Sequence, residues 1–285
     1  MNLKNLLPLT PAIAAGAALG ISDVLAKLII AAGCDVLTML SVRSVVGLVF
    51  VATWLRFGPR PKADARVRWV SMGVGIIFTG LIFCLFKAIE AIDVPTAILS
   101  YFTYPLLTGL VAALLGLETV SWRGVLCAVA AFCGLGIMIG AHPAGAIFAG
   151  VAFALGAAIC RTAVLIVTRA YLVGGDARLT TWYSVLSSMV VFVGLSLITK
   201  DLSLPQTTVG QVSLVALSLA TTAGILFVFV STMRIGPFRT ALFMNLEPFM
   251  TAVLSAIVLG DRMTPLQIFG GVVMIAALCV FQMRR

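Results

Sequence analysis

The chain has 285 residues, of which 61% are hydrophobic and only 10% charged, and its formal net charge is +9. A soluble domain carries roughly 25% charged residues, so a mean hydropathy of +1.17 excludes a water-facing surface. The positive charge would suit nucleic acid, but the basic residues stand between apolar segments rather than along one face, which argues against that partner.

The useful unit is therefore the apolar segment of ~20 residues, which crosses the hydrocarbon core as a helix. In chain order, apolar runs bounded by Gly, Pro and charge predict ten spans near 9–31, 37–56, 68–90, 94–116, 121–140, 145–171, 179–199, 209–234, 238–259 and 264–283. Ser121 and Thr264 stand where an N-cap belongs, and Pro265 follows at the first helical position. The first run lacks a cleavage site after a short core, so it is expected to span rather than to be removed as a signal peptide. Cys34, Cys84, Cys127, Cys133, Cys160 and Cys279 have no CxxC spacing, which argues against zinc and against a disulfide framework.

Lys and Arg in the connections set the orientation. With the N-terminus in the cytoplasm, Lys4, Arg56, Arg60, Lys62, Arg66, Arg68, Arg123, Arg169, Arg178, Arg234, Arg239, Arg284 and Arg285 fall on that side. Only Lys200 and Arg262 fall outside. Both termini are expected to be cytoplasmic, and the chain to be a multi-pass protein of the inner membrane.

A shift of 143 residues superposes Pro105 on Pro248, Thr108 on Thr251, Glu118 on Asp261 and Ser121 on Thr264. Gly109, Ala112 and Ala113 fall on Ala252, Ser255 and Ala256, and a shift of 144 brings Gly80 onto Gly224 and Phe83 onto Phe227. The expected fold is an all-α membrane protein of ten transmembrane helices in two five-helix repeats, 1–142 and 143–285. Five is odd, so the second repeat must be inverted; such repeats are typical of secondary transporters with a midplane solute site. The pattern of proline, small residues and then Gly-acid closes the fourth and ninth spans, from Pro105 through Leu117-Glu118 and from Glu247-Pro248 through Gly260-Asp261. With these features nearly the whole chain resembles the EamA-like members of the drug/metabolite transporter superfamily, with the bacterial amino-acid exporter branch the nearest likeness. Asp261 stands where that pattern more usually has Glu. The resemblance implies solute export through a central cavity, with no metal, nucleotide or other cofactor.

Ionisable groups within spans are costly and are functional candidates by default. Asp23 and Lys27, four apart on the first span, can pair along one face, with Arg43 of the second span at similar depth. The competing interpretation is a structural ion pair that seals the outer end. Arg161 and Glu247 lie deeper, at the interface of the halves or on the cavity. Pro248 deprives the Met244 carbonyl of its helix bond, so the alternative role for Glu247 is to brace that carbonyl. Tyr101, Tyr104 and Thr108 share one face of the fourth span, with Gly109, Ala112 and Ala113 opposite for close helix packing. The substrate-binding candidates are Thr79, Phe83, Tyr101, Tyr104, Arg161, Phe227, Met244 and Glu247, with Phe78, Phe86 and Phe229 as further aromatic walls. Asp23, Lys27, Arg43 and Glu247 are the coupling or structural charges. Trp54, Trp69, Trp122 and Trp182 near span ends read as interfacial anchors, and Gly16–Gly20 and Gly136–Gly140 as packing motifs.

The single histidine, His142, and the lack of HExxH, GxSxG or a phosphate-cradling Gly-Lys motif argue against a membrane enzyme and against a nucleotide. No filter repeat or charged ring suggests a channel. The expected protein is a monomeric exporter of small organic solutes, most of all amino acids, with membrane lipids as its other partners. A proton-coupled antiporter of amphipathic cations or drugs is the alternative.

Overall fold

The computed structural model describes residues 7–57, 64–92, 94–140, 148–199, 202–260 and 264–283. His142, Asp261 and the cations Lys4, Arg60, Lys62, Lys200, Arg262, Arg284 and Arg285 lie outside the described residues. Among the described residues there is no strand, and the helices are joined by short connections.

In the first half, α1 is Thr10–Ala31, α2 Val36–Phe57 and α3 Ala65–Ala91. The fourth helix is broken into α4a, Val94–Tyr101, and α4b, Tyr104–Leu114, and α5 is Trp122–Ile139. In the second half, α6 is Phe148–Tyr171, α7 Ala177–Thr199 and α8 Thr208–Ile235. The ninth helix is likewise broken, into α9a, Pro237–Phe243, and α9b, Leu246–Val258, and α10 is Pro265–Met283. Taking each broken helix as one rod, eight are long and apolar enough to cross a membrane, and α5 and α10 are shorter apolar helices.

Local chemistry sets the helix starts. The Ser121 hydroxyl accepts from the Gly124 N–H at 3.1 Å, as an N-cap should. At α10 the Thr264 hydroxyl accepts from the Gln267 N–H while the Gln267 side chain accepts from the Thr264 N–H, a reciprocal capping box. Asp35 and Asp176 cap α2 and α7 in equivalent places, and the first also accepts from the Ser203 N–H, tying two connections together. Burial pushes the Asp35 carboxyl up, but hydrogen bonds from Thr38, Ser203 and Leu37 outweigh it and leave it below the usual carboxylate range. Asp176 is also held down, chiefly by its hydrogen bond from Arg178.

The two breaks follow from proline. Pro248 has no N–H to give the Met244 carbonyl, yet that carbonyl is not left bare: the Glu247 N–H donates to it at 3.0 Å, one residue short of an α-helical bond. The alternative role of the Glu247 side chain, to brace this carbonyl, is thus taken by the residue's own backbone N–H. In the fourth helix, the Leu106 N–H donates to the Thr103 carbonyl at 3.0 Å in the same tightened manner, next to Pro105. These turns release each rod from a single helical register at mid-length.

Packing between the halves is reciprocal. The most extensive contacts are α1 on α8 and α3 on α6, which exchange the first and third helices of the two halves; α5 on α10 joins the fifth helices. Tyr104 reaches the Ala241 carbonyl and Gly109 faces Phe238, so the fourth and ninth helices run antiparallel. Glycines allow the closest approaches, as expected for membrane helices with no hydrophobic force between them. Gly16 and Gly20 lie on Leu246, Glu247 and Met250 of α9b, whereas a Cβ at Gly136 would meet only the Leu99 side chain, 3.4 Å away. A Cβ at Gly75 would sit 2.1 Å from the Ser184 carbonyl oxygen, and backbone cannot yield. Nothing lies within 4 Å of a Cβ at Gly73, on the same helix. Gly75→Ala is expected to lower the thermal unfolding temperature of the purified protein, an overpacking cost of about 1–3 kcal/mol. Gly73→Ala should leave it equal or higher, since Ala favours helix by about 1 kcal/mol. Equal melting temperatures for the two variants would contradict the α3–α7 contact.

Candidate functional site

The breaks, the reciprocal packing and the glycine contacts together leave a cavity of about 580 Å³ between the halves. It opens at the end of the bundle where α1, α3 and α9 finish and α4 and α10 begin, since Lys27, Leu85, Ile98, Ser255 and Gln267 line its mouth. Arg161 and Glu247 stand at its depth.

One wall is polar. On α9b, Glu247, Thr251 and Ser255 recur every four residues and so share one helical face. The Thr251 hydroxyl donates to Asp23 Oδ2 at 2.8 Å, and Lys27 Nζ donates to Ser255 Oγ at 3.1 Å. Asp23 and Lys27 therefore strap α1 to α9b at the cavity surface, in place made close by Gly20. Both line the open cavity. Arg43 faces the same cavity from α2 and also borders a small annex of about 30 Å³, room for a single water.

The other wall is apolar, formed by Phe78, Leu81, Ile82 and Leu85 on one face of α3 with Ile98 and Phe102 of the fourth helix. Tyr101 lines the cavity beside them and packs against Tyr104 with ring centroids 5.3 Å apart. Arg161 is 4% exposed, its guanidinium lies 5.7 Å from the centre of the Tyr104 ring, and its Nε–H has no hydrogen-bond partner.

Of the candidates read from sequence, the structure brings Asp23, Lys27, Arg43, Tyr101, Arg161 and Glu247 together on this one cavity. The others stand elsewhere. The Thr79 hydroxyl donates to the Gly75 carbonyl of its own helix at 3.0 Å and meets Ser188 of α7. Phe83 is 57% exposed on the outside of the bundle, because the positions of α3 that face the cavity are 78, 81, 82 and 85. Phe227 packs partly buried against the core, Met244 is fully buried, and Tyr104 lies buried beneath the cavity. Of the further aromatic walls only Phe78 lines the cavity; Phe229 is buried against Val74 and Val164. Thr108 is buried and bonded to Thr162, and Gly109 and Ala112 pack as expected, whereas Ala113 is exposed. Sequence reasoning missed Ser22, Thr221, Thr251, Ser255 and Gln267; the four-residue spacing of Glu247, Thr251 and Ser255 was the available signal.

Among the described residues one continuous buried cluster, which includes Tyr104, Phe238, Leu242 and Met244, seals this cavity from the opposite end, where a separate cavity of about 480 Å³ is lined by Glu118, Arg123, Phe238, Arg239 and Phe281. Beyond it, Glu118 accepts from the Phe238 N–H at 3.0 Å and pairs with Arg239 at 3.3 Å, fastening the α4b–α5 connection to the start of α9a. Gly236, at φ +96°, lets the carboxylate in, since a Cβ there would be 2.4 Å from Glu118 Oε2. A half-shielded Arg239 left without Glu118 would be an unpaired charge.

The family model of the EamA-like transporter family matches residues 8–140 and again 148–283. The chain belongs to the EamA-like transporter family. It is thus a multi-pass membrane protein of a transporter family built from two repeats. A crystal structure of another protein superposes with a TM-score of 0.80 over 97% of this chain and 99% of that one, at 17% identity, which speaks for the fold alone. No curated protein matches the chain in sequence.

Glu118→Ala should lower the thermal stability of this EamA-like protein by about 1–3 kcal/mol, the cost of stranding a buried donor and a charge. Glu118→Gln, still able to accept from the Phe238 N–H, should lose less. Equal losses would mean that the backbone bond contributes nothing beyond the ion pair.

Proposed function

We propose that this EamA-like transporter exports amino acids, above all large uncharged ones, by alternating access through the cavity between its repeats. The observation that carries this reading is the pairing of charges over an apolar wall. Asp23 and Glu247 suit an α-ammonium group, Arg43 and Arg161 suit an α-carboxylate, and Phe78, Leu81, Ile82, Leu85 and Ile98 offer a side chain an apolar surface. Arg is the natural partner for a carboxylate because its planar donors match both oxygens. At about 580 Å³ the cavity falls in the range of ~300–1,000 Å³ usual for small-ligand sites.

In this reading the ten rods are ten spans, with 1–142 and 143–285 as inverted repeats. At 18 and 19 residues, α5 and α10 are about 27–28 Å long, close to the ~30 Å core. Both termini lie in the cytoplasm, on the sealed side, because the loop cations fall there. The cavity then faces outward across the inner membrane. A reporter active only in the cytoplasm, fused after Arg285, should be active; an inactive but intact fusion would contradict this orientation. The protein works as a monomer among lipids, with no cofactor, nucleotide, nucleic acid or enzymatic step.

The test is uptake into proteoliposomes across a panel of amino acids, with and without a pH gradient. Large uncharged amino acids should be carried in preference to charged ones, and Arg161→Met should abolish their transport. If organic cations are carried and no amino acid is, the antiporter of amphipathic cations is the better reading. Glu247→Gln removes a titratable group while keeping its shape. Under proton coupling it should abolish the response to the gradient with transport at equilibrium preserved. An unchanged response would remove Glu247 as the coupling residue, and no response in the wild-type protein would leave facilitated diffusion.

A further inference from the structure

The broken helices line the cavity unequally. From the ninth helix it takes residues after the break, Glu247, Pro248, Thr251, Ala252 and Ser255; from the fourth it takes residues before the break, Ile98, Tyr101 and Phe102. The segments left out are their counterparts across the repeat. Tyr104, Pro105, Thr108 and Gly109 of α4b are buried, as are Ala241, Met244 and Asn245 at the end of α9a and its break. In the register that places Pro105 on Pro248, Asn245 corresponds to Phe102 and Met244 to Tyr101.

Asn245 is not a natural core residue. It is 2% exposed, and its Oδ1 has no hydrogen-bond partner. The orientation of the amide is settled by its neighbour: the Leu242 carbonyl can only accept, and Nδ2 donates to it at 2.8 Å. The bare atom is therefore the acceptor. Leaving a buried acceptor unmet costs about 1–3 kcal/mol, and such a cost at a helix break beside a functional cavity has a use if the atom is met in another state.

We infer that Asn245 is a solute-binding residue of the opposite-facing state. When the halves exchange conformations, the break of the ninth helix takes the place that the break of the fourth now holds. Asn245 Oδ1 then faces a cavity open at the other end, beside Tyr104 and Met244, and accepts a hydrogen bond from the ammonium group of the solute. This rests on the alternating-access reading and adds to it a residue that the open cavity does not contain.

The experiment uses the full chain in proteoliposomes. In Asn245→Cys, modification of residue 245 by a water-soluble thiol reagent is followed by peptide mass mapping, which separates it from the native cysteines. It should be modified from the sealed end and not from the open end, with no solute present. Absence of modification from either side, or modification from the open end, overturns the inference whatever the protein carries. Phenylalanine exchange is then measured from each side for Asn245→Leu, which keeps the bulk and loses the acceptor. Half-saturation should rise about tenfold or more at the sealed end and stay within about twofold at the open end. An equal change on both sides, or none, would overturn the solute contact. Wild-type protein that carries no phenylalanine or other amino acid would refute the amino-acid reading instead, and the labelling result would still decide whether Asn245 lines a second cavity.

Discussion

Pro105 and Pro248 cannot donate a backbone hydrogen bond, and the centre of the protein depends on that. Each sits just past mid-length of a helix that would otherwise be continuous, and each is accompanied by a tightened turn in which a carbonyl is met by the residue three ahead. In lipid no backbone group can be left for water to satisfy. A break is tolerable only where protein surrounds it or where it lines a cavity, and both breaks are so placed. The consequence is a pair of rods whose two segments can face different surroundings: α9b lines the cavity while α9a helps to seal it, and in the fourth helix the roles are reversed.

The cavity owes its position to small residues as much as to charges. Gly16 and Gly20 let α1 approach α9b so closely that Asp23 meets Thr251 and Lys27 meets Ser255. Gly75 does the same for α3 against α7. Were these contacts looser, the acidic pole made by Asp23 and Glu247 would be spread over two separate surfaces. The sealed end is held differently, by an aromatic and aliphatic cluster and by the carboxylate of Glu118 against the start of α9a. At the positions of α4a that correspond to Phe238 and Arg239 the chain has Pro95 and Thr96, which offer neither that N–H nor a guanidinium. The two ends are therefore not chemically equal.

Much of this was legible in the sequence, because a membrane leaves few options. Helix positions followed from apolar length, and the helix starts at Ser121 and Thr264 from their capping chemistry. The charged cavity residues Asp23, Lys27, Arg43, Arg161 and Glu247 could be picked out since an ionised group in a span is costly anywhere but inside. What sequence could not give was the facing of uncharged residues. Phe83 and Phe78 are both apolar and on one helix, yet five residues of rotation put one outside the bundle and the other on the cavity. Tyr101 and Tyr104 pack together across the break, yet only Tyr101 lines the cavity. Which group meets the Met244 carbonyl was open for the same reason: the tightened turn that relieves it is a property of the broken backbone.

Transport by this route requires that the two ends of the bundle open in alternation. Spin labels at Ala31 and Leu266, both exposed at the cavity mouth, and at Pro8 and Trp122, exposed at the sealed end, allow both separations to be measured by pulsed electron resonance in lipid nanodiscs. With a carried amino acid present, a second population should emerge in which the mouth pair is closer and the sealed pair farther apart. Single, unchanged distances at both ends in protein that is transporting would contradict the account.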